Sequence, residues 1–267
     1  MSLFLKLERL DPYALFATVL RRSRLSMEAA YQASFDAYLR SVALLEEHRY
    51  ASWHHDEAFN FVGLISGAAP AARPAVSRAA LDAQWLEAIA EDFQCDQQAA
   101  PVILFADDTL QRFAKGVFGK ALGLAPGFGP AYGPEYAPPA HLTTLLRAAT
   151  NTLRHVSEWD DNPNLRFPYP DPSTLKKGSP EWQAMQSISV LQRVFGIGKH
   201  EPIRDVVSCR VLIQVDGQLG TAPASYARFE AAIIEAARDI ARIGPPQGLS
   251  QLEAQLTELG TPAAAEA

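Results

Sequence analysis

The chain has 267 residues, 48% of them hydrophobic and 20% charged, with a net charge of −6. That length and apolar content can bury a full core, in one large domain or two small ones. The acidic balance disfavours wrapping of duplex nucleic acid, which calls for a basic surface, and the sequence has no apolar run of about 18 residues that reads as a membrane span.

The opening segment, MSLFLKLERLDPYALF, is broken by Lys6, Glu8 and Arg9 and lacks a small-residue cleavage site. It does not read as a secretory signal. Cys95 and Cys209 are too few for a disulfide framework and lack the CxxC spacing of a zinc site. The expectation is two buried fillers in a reducing, cytoplasmic setting.

In chain order, Asp11-Pro12 reads as an N-cap followed by proline at the first helical position, opening a helix to about Arg24. Ser26 is then expected to cap a second helix through about His48. In it Tyr31, Phe35, Tyr38, Val42 and Leu45 recur at bundle-packing spacing. A third helix is expected from about His54 to Ile65, then a Pro/Gly loop over 67–75. Ser77 reads as the cap of a fourth helix to about Phe93, with Leu81, Trp85, Leu86 and Ile89 on its apolar side. PVILF (101–105) is a buried strand or a helix entry, and Asp107 or Asp108 caps a helix to about Leu122.

The segment LAPGFGPAYGPEYAPPA (124–140) is a Pro/Gly/Tyr connector and the best boundary in the chain. It divides an N-terminal helical region, 1–123, from a second helical region, 141–243. One amphipathic helix runs from about His141 to Trp159. DDNPNLRFPYPDPS (160–173) is a loop, and Ser179-Pro180 opens a helix ending near Gly196. VVSCRVLIQV (206–215) is a strand by composition and a buried helix by the want of a strand to pair with. Ser225 caps a helix to about Arg242, and 244–267 is expected to be a frayed tail. The expected class is all-α, a multi-helix bundle with long irregular connectors.

Candidate chemistry concentrates in HLTTLLRAATNTLRHVSEW (141–159). At about 100° per residue, Arg147, Asn151, Arg154 and Glu158 share an arc of roughly 60°, with His155 at its edge. Leu142, Leu145, Leu146, Ala149, Leu153 and Val156 lie opposite. A plain solvated face with an Arg154–Glu158 pair is the simple alternative. His155 is the side chain suited to proton transfer near neutral pH, and Asn151 is a poor helix former whose presence asks for a reason.

Asn151-Thr152-Leu153-Arg154-His155, followed by Glu158-Trp159, resembles the signature helix of the HEPN superfamily of nucleotide-binding and ribonuclease helical domains. That pattern carries an arginine, a polar residue and a histidine about one turn on. Asn151 and His155 match the last two, while Thr150 stands where the arginine is expected. The resemblance implies metal-independent RNA cleavage at a homodimer interface, of the kind found in toxin–antitoxin and anti-phage systems. His155 would then be the base or acid, Asn151 the orienting group, and Arg147 or Arg154 the replacement cation. Glu158 and Trp159 would be binding residues. If neither arginine serves, the resemblance implies a degenerate member that binds RNA, a nucleotide or a protein partner without cutting.

Two other readings stand beside this one. The first is a non-enzymatic helical interaction module. The second is a metal-dependent helical enzyme built on Glu46, Glu47, His48, His54, His55, Asp56 and Glu57, against which Asp56 and Glu57 suit the first turn of a helix. The residue pattern therefore assigns no metal site and no cofactor. Gly196-Ile197-Gly198-Lys199-His200 reads as a helix C-cap and loop rather than a phosphate cradle.

Overall fold

A computed structural model describes residues 11–64, 78–122, 132–137, 140–165, 168–197, 207–216 and 225–258. The all-α expectation holds. Seven α-helices occur among the described residues: α1 Pro12–Leu64, α2 Arg78–Phe118, α3 Leu142–Asp161, α4 Pro180–Phe195, α5 Val207–Asp216, α6 Tyr226–Ile243 and α7 Gly248–Glu258. Two short antiparallel strands, β1 Glu135–Ala137 and β2 Ala140–His141, precede α3.

The three expected N-terminal helices are one. Neither proline nor glycine occurs between Tyr13 and Val62, so nothing forces a stop. Asp11 caps α1 as expected, its carboxylate accepting from Tyr13 N at 3.0 Å. Ser26 caps nothing; its hydroxyl donates back to the Ser23 carbonyl within the helix. The described α2 likewise runs through PVILF, with Pro101 inside it. Val102 and Ile103 are fully buried there, so packing outweighs the one hydrogen bond the proline forgoes. Ser77 lies outside the described residues.

The helices α1 and α2 run antiparallel as a long hairpin. Phe16 packs on Phe113 at one end, Ser34 meets Cys95 midway, and His48 lies beside Trp85 towards the other. The proximal half of the hairpin carries the remaining helices. The buried cluster runs without interruption from Tyr13 to Leu256 and takes in side chains from both sides of the 124–140 connector.

Segment 207–216 settles as a buried helix, because burial on several sides suits its near-continuous apolar run as well as a strand would. Its start is gripped by α2. The Asp96 carboxylate accepts from Ser208 N at 2.6 Å and Cys209 N at 3.3 Å, satisfying donors that a helix start leaves open. Next to it, Cys95 and Cys209 form a disulfide across 114 residues. This corrects the expectation of two free fillers: the cysteines are buried, but bonded.

Two further expectations change. Residues 248–258 form α7, packed on α1 and α6 through Leu252 and Leu256, where Leu249, Leu252 and Leu256 supply a helical repeat that composition obscured. On α2, Leu81 is buried as expected, but Trp85 and Leu86 face solvent. By contrast α4 matches its signals throughout: the Ser179 hydroxyl accepts from Trp182 N, Pro180 follows, and Gly196 closes it in the left-handed region.

Candidate functional site

The helix α3 is threaded through the core, and its two halves meet different surroundings. Its entry is set by the short stretch that leads into β1. Gly133 has φ +79°, and a Cβ there would lie 2.9 Å from that of Ala236, so only glycine lets this stretch reach α6. The Gly133 N–H donates to Asp239, and His141 Nδ1 donates to the Gly133 carbonyl at 2.7 Å. From there Leu142, Leu145, Leu146 and Ala149 are fully buried, while Thr143, Thr144 and Ala148 close the other sides.

The expected polar stripe divides. In its inner half, Arg147 reaches α2 and pairs with Asp107, Nη1 to Oδ2 at 2.9 Å. Asp107 is 2% exposed, and its other oxygen accepts from Gln111 at 3.2 Å. A carboxylate so buried needs a cation, so Arg147 is committed to it. Asn151 faces α4, donating to the Ser187 hydroxyl at 3.2 Å, which donates in turn to the Gln183 carbonyl. These contacts join helices α2, α3 and α4.

The outer half is different. Arg154 is exposed. His155 Nδ1 lies 3.0 Å from Glu158 Oε2, with the side chains 45% and 71% exposed. Glu158 thus turns to His155 rather than to Arg154. The Trp159 ring lies near-parallel to the imidazole, 20° between planes and 6.5 Å between centroids, with part of its surface packed on the core. The helix closes where the Asn162 amide donates to Glu181 at 3.1 Å. Glu181 is held below the usual carboxylate range by its own backbone N–H, then by Asn162 and Ser179.

Thr150 is fully buried on the core side, and its hydroxyl has no hydrogen-bond partner among the described residues. The position before Asn151 therefore does not belong to the polar face. An arginine there would enter the core, not join His155. The six candidate residues are accordingly not one constellation: Arg154, His155, Glu158 and Trp159 share an accessible surface, while Arg147 and Asn151 tie helices together.

Sequence reading passed over Asp107, taken for a helix cap, and Ser187, which carried no signal. It also passed over two buried polar centres joining α1 to α5 and α6. Asp216 takes Arg228 Nε at 2.8 Å, and burial, then the Asp216 carboxylate, raises the Tyr31 phenol well above its ordinary value. Glu230 faces Arg24 at 3.4 Å; burial pushes its carboxyl upward and Arg24 pulls it back. An acidic residue inside an apolar helical run, as at 107 and 230, is the signal that would have found them.

The side chains of His54, His55, Asp56 and Glu57 lie outside those described, as do residues 198–200. Among the described residues no group of three His, Cys, Asp or Glu side chains is arranged to hold a metal ion, and no helix is long and apolar enough to cross a membrane. No family model, curated protein or solved structure matches this chain.

Proposed function

We propose that the outer end of α3 is the working surface of an RNA-directed protein acting in the HEPN-like manner, a metal-independent endoribonuclease with His155 as its proton-transfer group. The observation that carries this reading is the His155–Glu158 contact at 3.0 Å. A carboxylate only accepts, so Nδ1 carries the proton and, in the neutral ring, Nε2 keeps its lone pair. Nε2 takes the proton of a ribose 2′-hydroxyl, and the oxygen attacks the adjacent phosphorus. The bond to the 5′-oxygen breaks, that oxygen takes up a proton from an imidazolium, and a 2′,3′-cyclic phosphate remains. A homodimer supplies that second imidazole from the partner's copy of the same helix.

With Arg147 held by Asp107, the cation facing the phosphate is Arg154. The Trp159 face supplies a stacking platform for an unpaired base, a contact worth about 1–3 kcal/mol. These features favour single-stranded RNA. The cytoplasm is retained as the location in this reading, and the Cys95–Cys209 disulfide stands against that, because such bonds persist mainly in oxidising compartments. Thiol counting on denatured, unreduced protein taken from cytoplasm tests it: two free thiols are the expected result, and none would overturn a reducing location.

The test of the activity is RNA cleavage by purified protein in EDTA, comparing wild type with His155→Ala and Glu158→Gln. Cleavage to cyclic phosphate ends by wild type, lost in His155→Ala and reduced about 10- to 100-fold in Glu158→Gln, is the expected result. No cleavage, with RNA binding that weakens on Trp159→Ala, would leave a degenerate binding member. Neither cleavage nor binding would overturn the reading.

A further inference from the structure

The distal half of the α1–α2 hairpin carries a surface of unusual composition. Residues 32–64 and 78–97 contain ten carboxylates and three bases, Arg40, Arg49 and Arg78. This stretch holds a net charge of −7, against −6 for the whole chain, so the rest of the molecule is close to neutral. Arg40 is engaged, its Nε 3.0 Å from Glu91.

On α2 this acidic stretch also exposes large apolar side chains: Leu86 at 65%, Phe93 at 60% and Trp85 at 47%. Leu86 and Phe93 are seven residues apart and about 20° from one another around the helix, with Ala90 between them and the half-buried Ile89 alongside. Asp82 continues the same line one turn earlier, and Glu87 flanks it; both are exposed. A two-helix-turn apolar stripe on an exposed helix is what an i, i+3, i+4, i+7 partner reads, and scattered single hydrophobics do not make one.

We infer that the Leu86–Phe93 face of α2 docks a basic amphipathic helix of another protein, whose apolar side covers Leu86, Ile89 and Phe93 and whose lysines or arginines meet Asp82, Glu87 and the neighbouring carboxylates. The excess of negative charge selects the partner's sign. A second copy of this chain would bring its own acidic hairpin and be repelled there. An RNA phosphate backbone is repelled for the same reason, so this face is separate from the α3 surface and does not depend on its role.

The test is fluorescence anisotropy of a labelled Leu/Lys helical peptide of about 18 residues against the full chain. A peptide with the same leucines and glutamate in place of lysine serves as the counter-probe. The lysine peptide is expected to bind, more weakly as salt rises, and at least about tenfold more weakly to the Leu86→Ser/Phe93→Ser variant. Leu25→Ser, an exposed apolar change on α1, is expected to leave binding unaltered. Both altered positions of the double variant are at the surface, so an unchanged circular dichroism spectrum and Tm verify its fold. No binding of the lysine peptide, equal binding of the glutamate peptide, or equal binding by the double variant would each overturn the proposal. So would a concentration-dependent dimer of the wild type that the double variant abolishes, since a second copy would then be the occupant.

Discussion

At Thr150 a hydroxyl is fully buried without a partner among the described residues, a group whose desolvation is uncompensated. Thr150→Val is therefore expected to keep or slightly raise stability, by up to about 1 kcal/mol, measured by urea unfolding. Thr150→Arg is expected to cost more than about 3 kcal/mol, because a long cation has neither room nor counter-charge there, and to bring no gain in RNA cleavage. At Arg147 the cost falls on the residue left behind. Arg147→Ala strands Asp107, and since the arginine is partly exposed the expected loss is about 2–3 kcal/mol, below that of a fully buried pair. Asp107→Asn in the same background should recover much of it. Glu230 adds a pH dependence. Its folded carboxyl lies above the ordinary 4.5, so the folded state holds the proton more tightly. That contribution is full below 4.5 and is lost as pH rises through the raised value. Glu230→Gln should flatten this part of the stability–pH curve, and its stability relative to wild type should rise with pH across that window.

Among the elements, α5 depends on a neighbour for its start. Asp96→Ala removes the acceptor of two N–H groups, with an expected loss of about 1–2 kcal/mol and faster hydrogen exchange at Ser208 and Cys209. The same dependence explains what the sequence showed of each element. In α4 every signal is local: Ser179, Pro180 and Gly196 lie within the helix or against it, and its bounds were legible. In α5 the cap comes from Asp96, 112 residues away, so the segment could be read either way. The breaks expected near Arg24 and His48 fell among serine and charged residues, which weaken a helix by tenths of a kcal/mol, and the one after Phe93 preceded the Pro101 run; long-range packing of α1 on α2 outweighs both. On α3 the apolar face was legible because it repeats. Which polar residues are committed to partners was not, since Asp107 and Ser187 lie about 40 residues to either side.

For the molecule as a whole, the disulfide ties α2 to α5 across the 124–140 connector. With 114 residues enclosed, chain-entropy arguments assign it about 4–5 kcal/mol. Thermal unfolding with and without a phosphine reductant is expected to show a clear fall in Tm on reduction, and a Cys95→Ala/Cys209→Ala variant should match the reduced protein. An unchanged Tm would mean that the bond contributes nothing. The packing of α7 bears on the order in which the molecule is completed. Gly248, which opens that helix, is pressed so close to Tyr13 that a Cβ would come within 2.6 Å of its hydroxyl. The first described turn of the protein is thus clasped by its last described helix. During synthesis the α1–α2 hairpin has its partners early, but the place beside Tyr13 stays open until α7 leaves the ribosome. A chain cut short before Gly248 would carry that opening permanently, and cellular proteases would meet it as an unfinished product.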